Sequence, residues 1–191
     1  MTDRIARRPH GRRARETYAS PTSHDFAWAP VLETLALEPD DRLLDVGCGG
    51  GVFIRHVREL IGCEVAGVDH SREMVRLAAP YAVFGSAERL PFHDGEFTAV
   101  SSIVAFFFFP DPVRALREMR RVLAPGGRIA LMTSVRRKLT LPPLKPLIER
   151  ASGMRLFEPD EIVRALQERG FENVRQRLAG MVQFVGGRLA S

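Results

Sequence analysis

The chain has 191 residues, 45% of them hydrophobic, a formal net charge of +5 and an isoelectric point near 10. That is enough apolar material for one cored domain, which excludes a wholly disordered or collagen-like chain, while the basic balance permits an anionic partner without saying anything of the fold. The two cysteines, Cys48 and Cys63, make no CxxC pair and no zinc spacing, so no metal site is expected and both read as reduced, buried thiols of a cytoplasmic protein. The longest nearly apolar run, Val100 to Phe109, is about half of what a bilayer span needs, so no transmembrane segment is expected.

Residues 1–24 carry Arg4, Arg7, Arg8, Arg12, Arg13 and Arg15 with little apolar content. They read as a solvated basic arm ahead of one domain over 25–191; the functional alternative is an arm that touches an anionic partner or folds over a ligand. Tyr18, Phe26 and Trp28 follow, aromatics placed to pack over a site. Trp28, Val31, Leu32 and Leu35 predict a helix over 28–37. Strand 1 is expected at 42–46, a helix at 51–61 with Val52, Phe53, Val57 and Leu60 inward and Gly62 as its stop, and strand 2 at 64–68 ending on Asp69. Ser71 predicts the N-cap of a helix over 72–79, which Pro80 ends before a third strand at 81–84. A loop over 85–96 leads to strand 4 at 97–103, and Asp111-Pro112 starts a helix with Val113, Leu116, Met119 and Leu123 at helical spacing. Pro125-Gly126-Gly127 turns into strand 5 at 128–133. Residues 135–157 interleave Arg136, Arg137, Lys138, Lys145 and Arg150 with leucines and prolines, and read as a basic lid excursion with one short helix. Pro159 opens a helix with Ile162, Val163 and Leu166 inward, closed by Gly170. Residues 171–178 and 181–189 alternate like an antiparallel pair turning at Ala179-Gly180. Strands alternating with helices, then a closing antiparallel pair, predict an α/β fold with a doubly wound, largely parallel sheet.

The informative stretch is Asp45-Val46-Gly47-Cys48-Gly49-Gly50-Gly51, an apolar strand running into an acid and three alternate glycines before a helix. In an open α/β sheet such a loop lies where ligands bind, and glycines let backbone approach a ligand with no Cβ between. Asp69, ending strand 2, is placed to accept hydrogen bonds from both hydroxyls of a ribose. The dinucleotide fingerprint G-x-G-x-x-G fails, since its last position falls on Val52 or Ile54. The tighter loop and the inward Asp45 suit a nucleoside bearing an amino acid better than a pyrophosphate.

These residues resemble the first motif of class I S-adenosylmethionine-dependent methyltransferases. Gly67-Val68-Asp69-His70-Ser71 resembles the second segment, Ser86-Ala87-Glu88-Arg89-Leu90-Pro91-Phe92 the adenine-side loop, and Arg121 to Arg128 the motif leading into strand 5. The segments come in the family's order across about 28–189, and the branch is similar to the methyltransferases of ubiquinone and menaquinone biosynthesis. The resemblance implies a Rossmann-like seven-stranded sheet in the order 3-2-1-4-5-7-6, mostly parallel with an antiparallel C-terminal strand. It also implies S-adenosylmethionine as cofactor, with S-adenosylhomocysteine as product. The implied cofactor site comprises Asp45 on the ammonium group, Gly47, Cys48, Gly49 and Gly51, Asp69 on the ribose, and His70, Ser86, Ala87 and Ser102. Ser86 and Thr98 depart from the family pattern, which often has an acid at the first position and usually at the second.

Methyl transfer from a sulfonium needs proximity and alignment, and a base only where the nucleophile starts protonated with a high pKa. After strand 4 the chain reads Ala105-Phe106-Phe107-Phe108-Phe109, which offers no proton acceptor. Phe106, Phe107 and Phe108 are the expected lining of an apolar or aromatic acceptor pocket, though core packing is the competing reading for each. Tyr18, His24 and His93 are the remaining acid–base candidates. The expected activity is methylation of a small molecule. The alternatives are RNA or protein methylation, prompted by the arginine arm, or a catalytically silent binding protein. The basic lid also suits an anionic acceptor or a peripheral contact with a membrane surface.

Overall fold

The computed structural model describes residues 25–136, 149 and 153–191. Seven strands form one sheet in the order β3-β2-β1-β4-β5-β7-β6. In chain order these are β1 (Arg42–Val46), β2 (Glu64–Asp69), β3 (Ala82–Phe84), β4 (Phe97–Ile103), β5 (Leu123–Ser134), β6 (Phe171–Ala179) and β7 (Val182–Leu189). Strands β3, β2, β1, β4 and β5 are parallel, and β7 runs antiparallel to both β5 and β6. This is the expected architecture and order. The strand order reverses between β1 and β4, so the crevice of an open α/β sheet falls at the carboxyl ends of those two strands.

Helices cover both faces because the central strands are apolar on both sides. Leu43, Ala99, Ile103, Ala130 and Met132 pack under α1 (Trp28–Leu35) and α2 (Val52–Ile61), with Val31, Leu35, Phe53, Ile54 and Val57 facing them. Leu44, Val46, Val100, Ile129 and Leu131 point the other way. They pack under α4 (Pro112–Val122) and α5 (Glu161–Gln167), through Leu116, Met119, Ile162 and Leu166. Between α2 and α4 in the chain lies α3 (Arg72–Ala78), whose Ser71 N-cap accepts from the Met74 N–H. Asp111 caps α4 by accepting from Arg114 N at 3.0 Å, with Pro112 at the first helical position.

Several local expectations shift. Helix α1 ends at Leu35 because Ala36 turns left-handed, φ 44°, and its N–H returns to Leu32 O. In α2 Ile54 faces the core, while Leu60 and, in α4, Val113 are exposed. β5 begins at Leu123: this residue pairs with Phe97 before a bulge carries the chain through Pro125-Gly126-Gly127, and regular pairing resumes at Arg128. In the hairpin Ala179 still pairs with Val182, so the turn is Gly180-Met181. Trp28 stacks on His56, centroids 4.6 Å apart, and packs against Phe53, so it belongs to the α1–α2 contact rather than to a ligand site. At the ends of the expected lid, Leu156 and Phe157 are core residues, Phe157 packing against Phe106. Arg136 pairs with Glu158 and Arg155 with Glu161. The rest of that lid, with Arg137, Lys138, Lys145 and Arg150, and the whole N-terminal arm lie outside the described residues. Among the described residues no helix is long and apolar enough to cross a membrane.

Two substitutions test how α1 is set. Ala36→Gly relieves a left-handed backbone at an exposed site and is expected to stabilise the protein by about 0.5–1 kcal/mol. Gly186→Ala would bring a Cβ to 2.6 Å from the Ile129 carbonyl oxygen and into the Thr34 methyl of α1, and is expected to cost about 1–3 kcal/mol. Urea unfolding midpoints of the two variants measure both.

Candidate active site

Parallel pairing of β1 with both β2 and β4 brings three polar side chains to one end of the sheet. Asp45 stands opposite Ser101 on β4, and Asp69 ends β2 one strand away. Ser101 Oγ donates to Asp45 Oδ1 at 2.7 Å, and both side chains are buried. Asp69 Oδ2 accepts from Gly49 N at 3.0 Å and its Oδ1 from Ser71 N at 2.8 Å. One carboxylate therefore fastens the glycine loop after β1 to the start of α3. Val68 O completes the tie by accepting from the N–H groups of Gly47 and Cys48.

The loop glycines answer first to the protein. Gly47, Gly49 and Gly51 all have positive φ, at 82°, 53° and 74°. A Cβ on Gly47 would run into the Ala105 methyl after β4, and one on Gly51 would come within 2.7 Å of Ala78 Cβ in α3. Gly51 thus lets α2 and α3 meet, and Arg55 reinforces that meeting by donating to Gly50 O at 2.6 Å and Leu77 O at 3.2 Å. At Gly47 and Gly51 the space of the missing side chain is taken by Ala105 and Ala78. Cys48 is buried against Gly67, whose missing Cβ would lie 2.6 Å from the sulfur, and burial pushes its thiol pKa well up; Cys48 and Cys63 are both free thiols.

Burial drives the Asp45 pKa up to about 7; the Ser101 hydrogen bond opposes this and the nearby Asp69 charge adds to it. Asp45 is thus a buried acid beside a second acid, with no permanent cation paired to it among the described residues.

Beyond Asp69 an open cleft of about 670 Å³ is lined by His70, Phe84, Gly85, Ser86, Arg89, Leu90 and Pro91. His70 Nδ1 lies 3.5 Å from Asp69 Oδ1. Ser86 Oγ accepts from Glu88 N at 3.2 Å, which leaves its hydroxyl proton free to donate, and Ala87 is half-buried beside it. The loop is held from behind by α4. Glu118 accepts from Leu90 N at 2.8 Å, and Arg121 donates to Leu90 O and Phe92 O and pairs with Glu118 and Asp94. The Arg121 hydrogen bond holds Glu118 below the usual carboxylate range. The size and mixed lining of the cleft suit a small-molecule ligand.

Residues 44–131 match the methyltransferase domain family. The demethylmenaquinone methyltransferase of Roseiflexus castenholzii is 31% identical over 82% of this chain and 79% of its own length. The chain belongs to the S-adenosylmethionine-dependent methyltransferases. The solved structure of the YcgJ protein from Bacillus subtilis superposes on this methyltransferase with a TM-score of 0.74 at 18% identity, over 88% of this chain and all of that one. A geranyl diphosphate methyltransferase, solved with geranyl diphosphate and sinefungin, gives 0.72 at 16% identity, over 85% of this chain and 78% of that one. These two likenesses concern the fold.

The methyltransferase divides its phenylalanine run. Phe106 is fully buried between Phe109 and Phe157, ring centroids 5.5 Å from each, and Phe107 is nearly so. Both are core, which corrects their expected place in a pocket lining. Phe108 and Phe109 are half-buried, and the Phe109 ring borders Gly47. Ser102 points to the opposite face of β4 from Ser101 and donates to Val46 O at 2.8 Å, so it braces β1 rather than opening to the cleft. His93 is exposed in the stretch entering β4, at the amino-terminal edge of the sheet and away from Asp45 and Asp69. It is no acid–base candidate for this site. Thr98 lies at that same far edge, where it donates to Asp41 and accepts from Arg42 N, so its departure from the family does not touch the cleft. Tyr18 and His24 lie outside the described residues. Ser101 is the site residue that sequence reasoning missed.

The raised Asp45 pKa has a sign that stability measurements can check. The native state holds this proton more tightly than the unfolded chain, so between the ordinary value of 3.8 and about 7 the carboxyl costs the unliganded protein progressively more stability. Asp45→Asn is expected to raise Tm at pH 8 and to leave it nearly unchanged at pH 4; a Tm gain that is the same at both pH values would contradict the assignment.

Proposed function

We propose that this methyltransferase binds S-adenosylmethionine across the carboxyl ends of β1, β2 and β4 and methylates an apolar or aromatic small molecule. The fit of the cofactor rests on donor chemistry: two carboxylates, Asp45 and Asp69, stand at the carboxyl ends of adjacent strands, and His70, next in the chain after Asp69, lines a cleft of nucleoside size. Asp45 would hold the ammonium group, and Asp69, already fixed by Gly49 and Ser71, the ribose hydroxyls. His70, Phe84 and Leu90 would flank the base, with the Ser86 hydroxyl and the Ala87 N–H available at its edge. When bound, the cofactor supplies an electrophilic methyl group on a sulfonium.

The observation that carries the acceptor class is the exit of β4. From Val104 to Pro110 this methyltransferase places no titratable side chain, and it leaves Phe108 half-buried against Phe107 and Phe109 half-buried beside Gly47. That segment desolvates and orients an acceptor but removes no proton, which suits an acceptor whose nucleophilic atom needs no base from it. A relative named for demethylmenaquinone and a fold neighbour named for geranyl diphosphate support a small, largely apolar acceptor.

Calorimetric titration with S-adenosylhomocysteine, using NADH as control ligand, tests the cofactor. Saturable binding is expected for the first alone, weakened about 100-fold or more by Asp69→Ala, which removes a charged acceptor of two hydrogen bonds, and unchanged by His93→Ala. No binding at millimolar ligand by the folded protein would defeat the reading. Methyl transfer from labelled cofactor to a panel of quinols, isoprenoids, amines, RNA and peptides then tests the acceptor. Phe108→Ala is expected to raise KM for the best apolar acceptor about tenfold or more while leaving S-adenosylhomocysteine affinity intact. Turnover confined to RNA or peptide would sink the small-molecule assignment.

A further inference from the structure

The buried acids at the head of β1 and β2 differ in how they are satisfied. Asp69 accepts two backbone N–H groups, from Gly49 and Ser71, that can hold a carboxylate without a counter-ion. Asp45 is only 3% exposed, and among the described residues its one hydrogen-bond donor is the Ser101 hydroxyl. Among the described residues the titratable and charged groups that face it are Asp69 from β2 and the Cys48 thiol from the loop, with Arg55 of α2 and His70 beyond them. Arg55 is turned to Gly50 O and Leu77 O, and His70 lies against Asp69, so neither neutralises Asp45. An isolated buried carboxylate beside a second one is costly, and such a group holds its proton until a cation arrives.

We propose that cofactor binding to this methyltransferase is proton-linked: the Asp45 carboxyl is protonated in the empty site near neutral pH and loses its proton to solvent as a cationic amine enters, with Ser101 as the positioning residue that holds the carboxyl in both states. The O–H bond of the acid breaks, the proton passes to buffer, and the electron pair left on the carboxylate faces the incoming ammonium group. A hydroxyl suits this task because it donates to the carboxylate and accepts from the acid without moving. A backbone N–H or an arginine would serve the charged form alone. Register makes the pair specific: Asp45 lies opposite Ser101, and the alternation of β4 sends Ser102 to the other face. The direction agrees with the raised Asp45 pKa. The inference rests on the reading of Asp45 as the amine-binding acid and goes beyond it by making affinity a function of pH.

Two measurements test it. The first is calorimetric titration of S-adenosylhomocysteine into the full chain from pH 5.5 to 8.5, in buffers of low and high ionisation enthalpy. Close to one proton is expected to be released per ligand at pH 6, falling to near none at pH 8.5. Affinity is expected to rise towards about tenfold per pH unit below the midpoint. Ser101→Ala should move that midpoint up by about one pH unit, because it removes a hydrogen bond worth more to the charged form. Ser101→Thr, which keeps the hydroxyl, should restore it. A merely structural role for Ser101 would lower affinity equally at every pH. The second is carbon-13 titration of the aspartate carboxyls, with the Asp45 signal assigned by its loss in Asp45→Asn. It is expected to titrate near neutrality in the free protein and to stay ionised from pH 6 to 8 in the complex. Binding with no proton release, a release that persists in Asp45→Asn, or a free-protein Asp45 titrating below pH 5 would overturn this proposal and leave the cofactor reading standing. Absence of binding at every pH would overturn both.

Discussion

The glycine loop depends on a buried carboxylate that reaches in two directions. Asp69, at the last position of β2, accepts from Gly49 in the loop after β1 and from Ser71 at the start of α3. An unpaired carboxylate at a buried strand end would be expensive, and two backbone donors remove most of that expense while fixing where the loop runs. Everything around the cleft is positioned from that tie. Gly47 and Cys48 hang from Val68 O, Gly51 closes on Ala78, and α2 starts where the loop ends.

The tie works because the surrounding packing permits no other path. Three left-handed glycines at alternate positions make so tight a turn, and the volume freed at Gly47 and Gly51 is occupied by Ala105, the Phe109 ring and Ala78. The same economy appears in the adenine-side loop. Gly85 lets Pro91 fold back towards Val68, and the Arg121–Glu118 pair on α4 holds the carbonyls and N–H groups of the loop from behind. The far edge of the sheet is managed separately. There Asp41 gathers donors from Glu38 N, Thr98 and Arg128; burial acts to raise its pKa, but these hydrogen bonds and the arginine charge prevail and the net shift is downward. Among the described residues polar chemistry therefore sits at both ends of the strands: permanently paired at the amino-terminal edge, and short of a cation at the carboxyl edge.

That asymmetry is what makes the carboxyl edge a binding surface. A fold could neutralise Asp45 with an arginine, as it neutralises Asp41 with Arg128. Here the partner is a hydroxyl, which leaves the charge requirement open for a ligand to fill. The aromatic exit of β4 completes the division of labour, since Phe106 and Phe107 seal the core while Phe108 and Phe109 remain half-buried, Phe109 beside the loop.

Much of this was legible in the linear order of residues. The alternation of strands and helices, the glycine run after an apolar strand, the acid closing the second strand, and the caps at Ser71 and Asp111 depend on neighbours in sequence, and local rules capture them. The order of the strands and the cofactor class came from motifs whose spacing is a family property. What the sequence could not assign were facts about faces and register. Ser101 and Ser102 are adjacent and chemically identical, and only the pairing of β1 with β4, together with the period-two alternation of a strand, decides that one holds Asp45 and the other braces Val46. Four successive phenylalanines carry no signal of which are core, because that depends on Phe157, which lies about fifty residues on and meets Phe106 only in the folded chain. His93 resembled a site residue in a list of histidines, and the direction of β4 placed it at the wrong end of the sheet. The sequence by itself determined which chemistry the chain can bear and the succession of its elements; the tertiary structure decided which side chains share a face and an edge, because those are relations between strands and not within one.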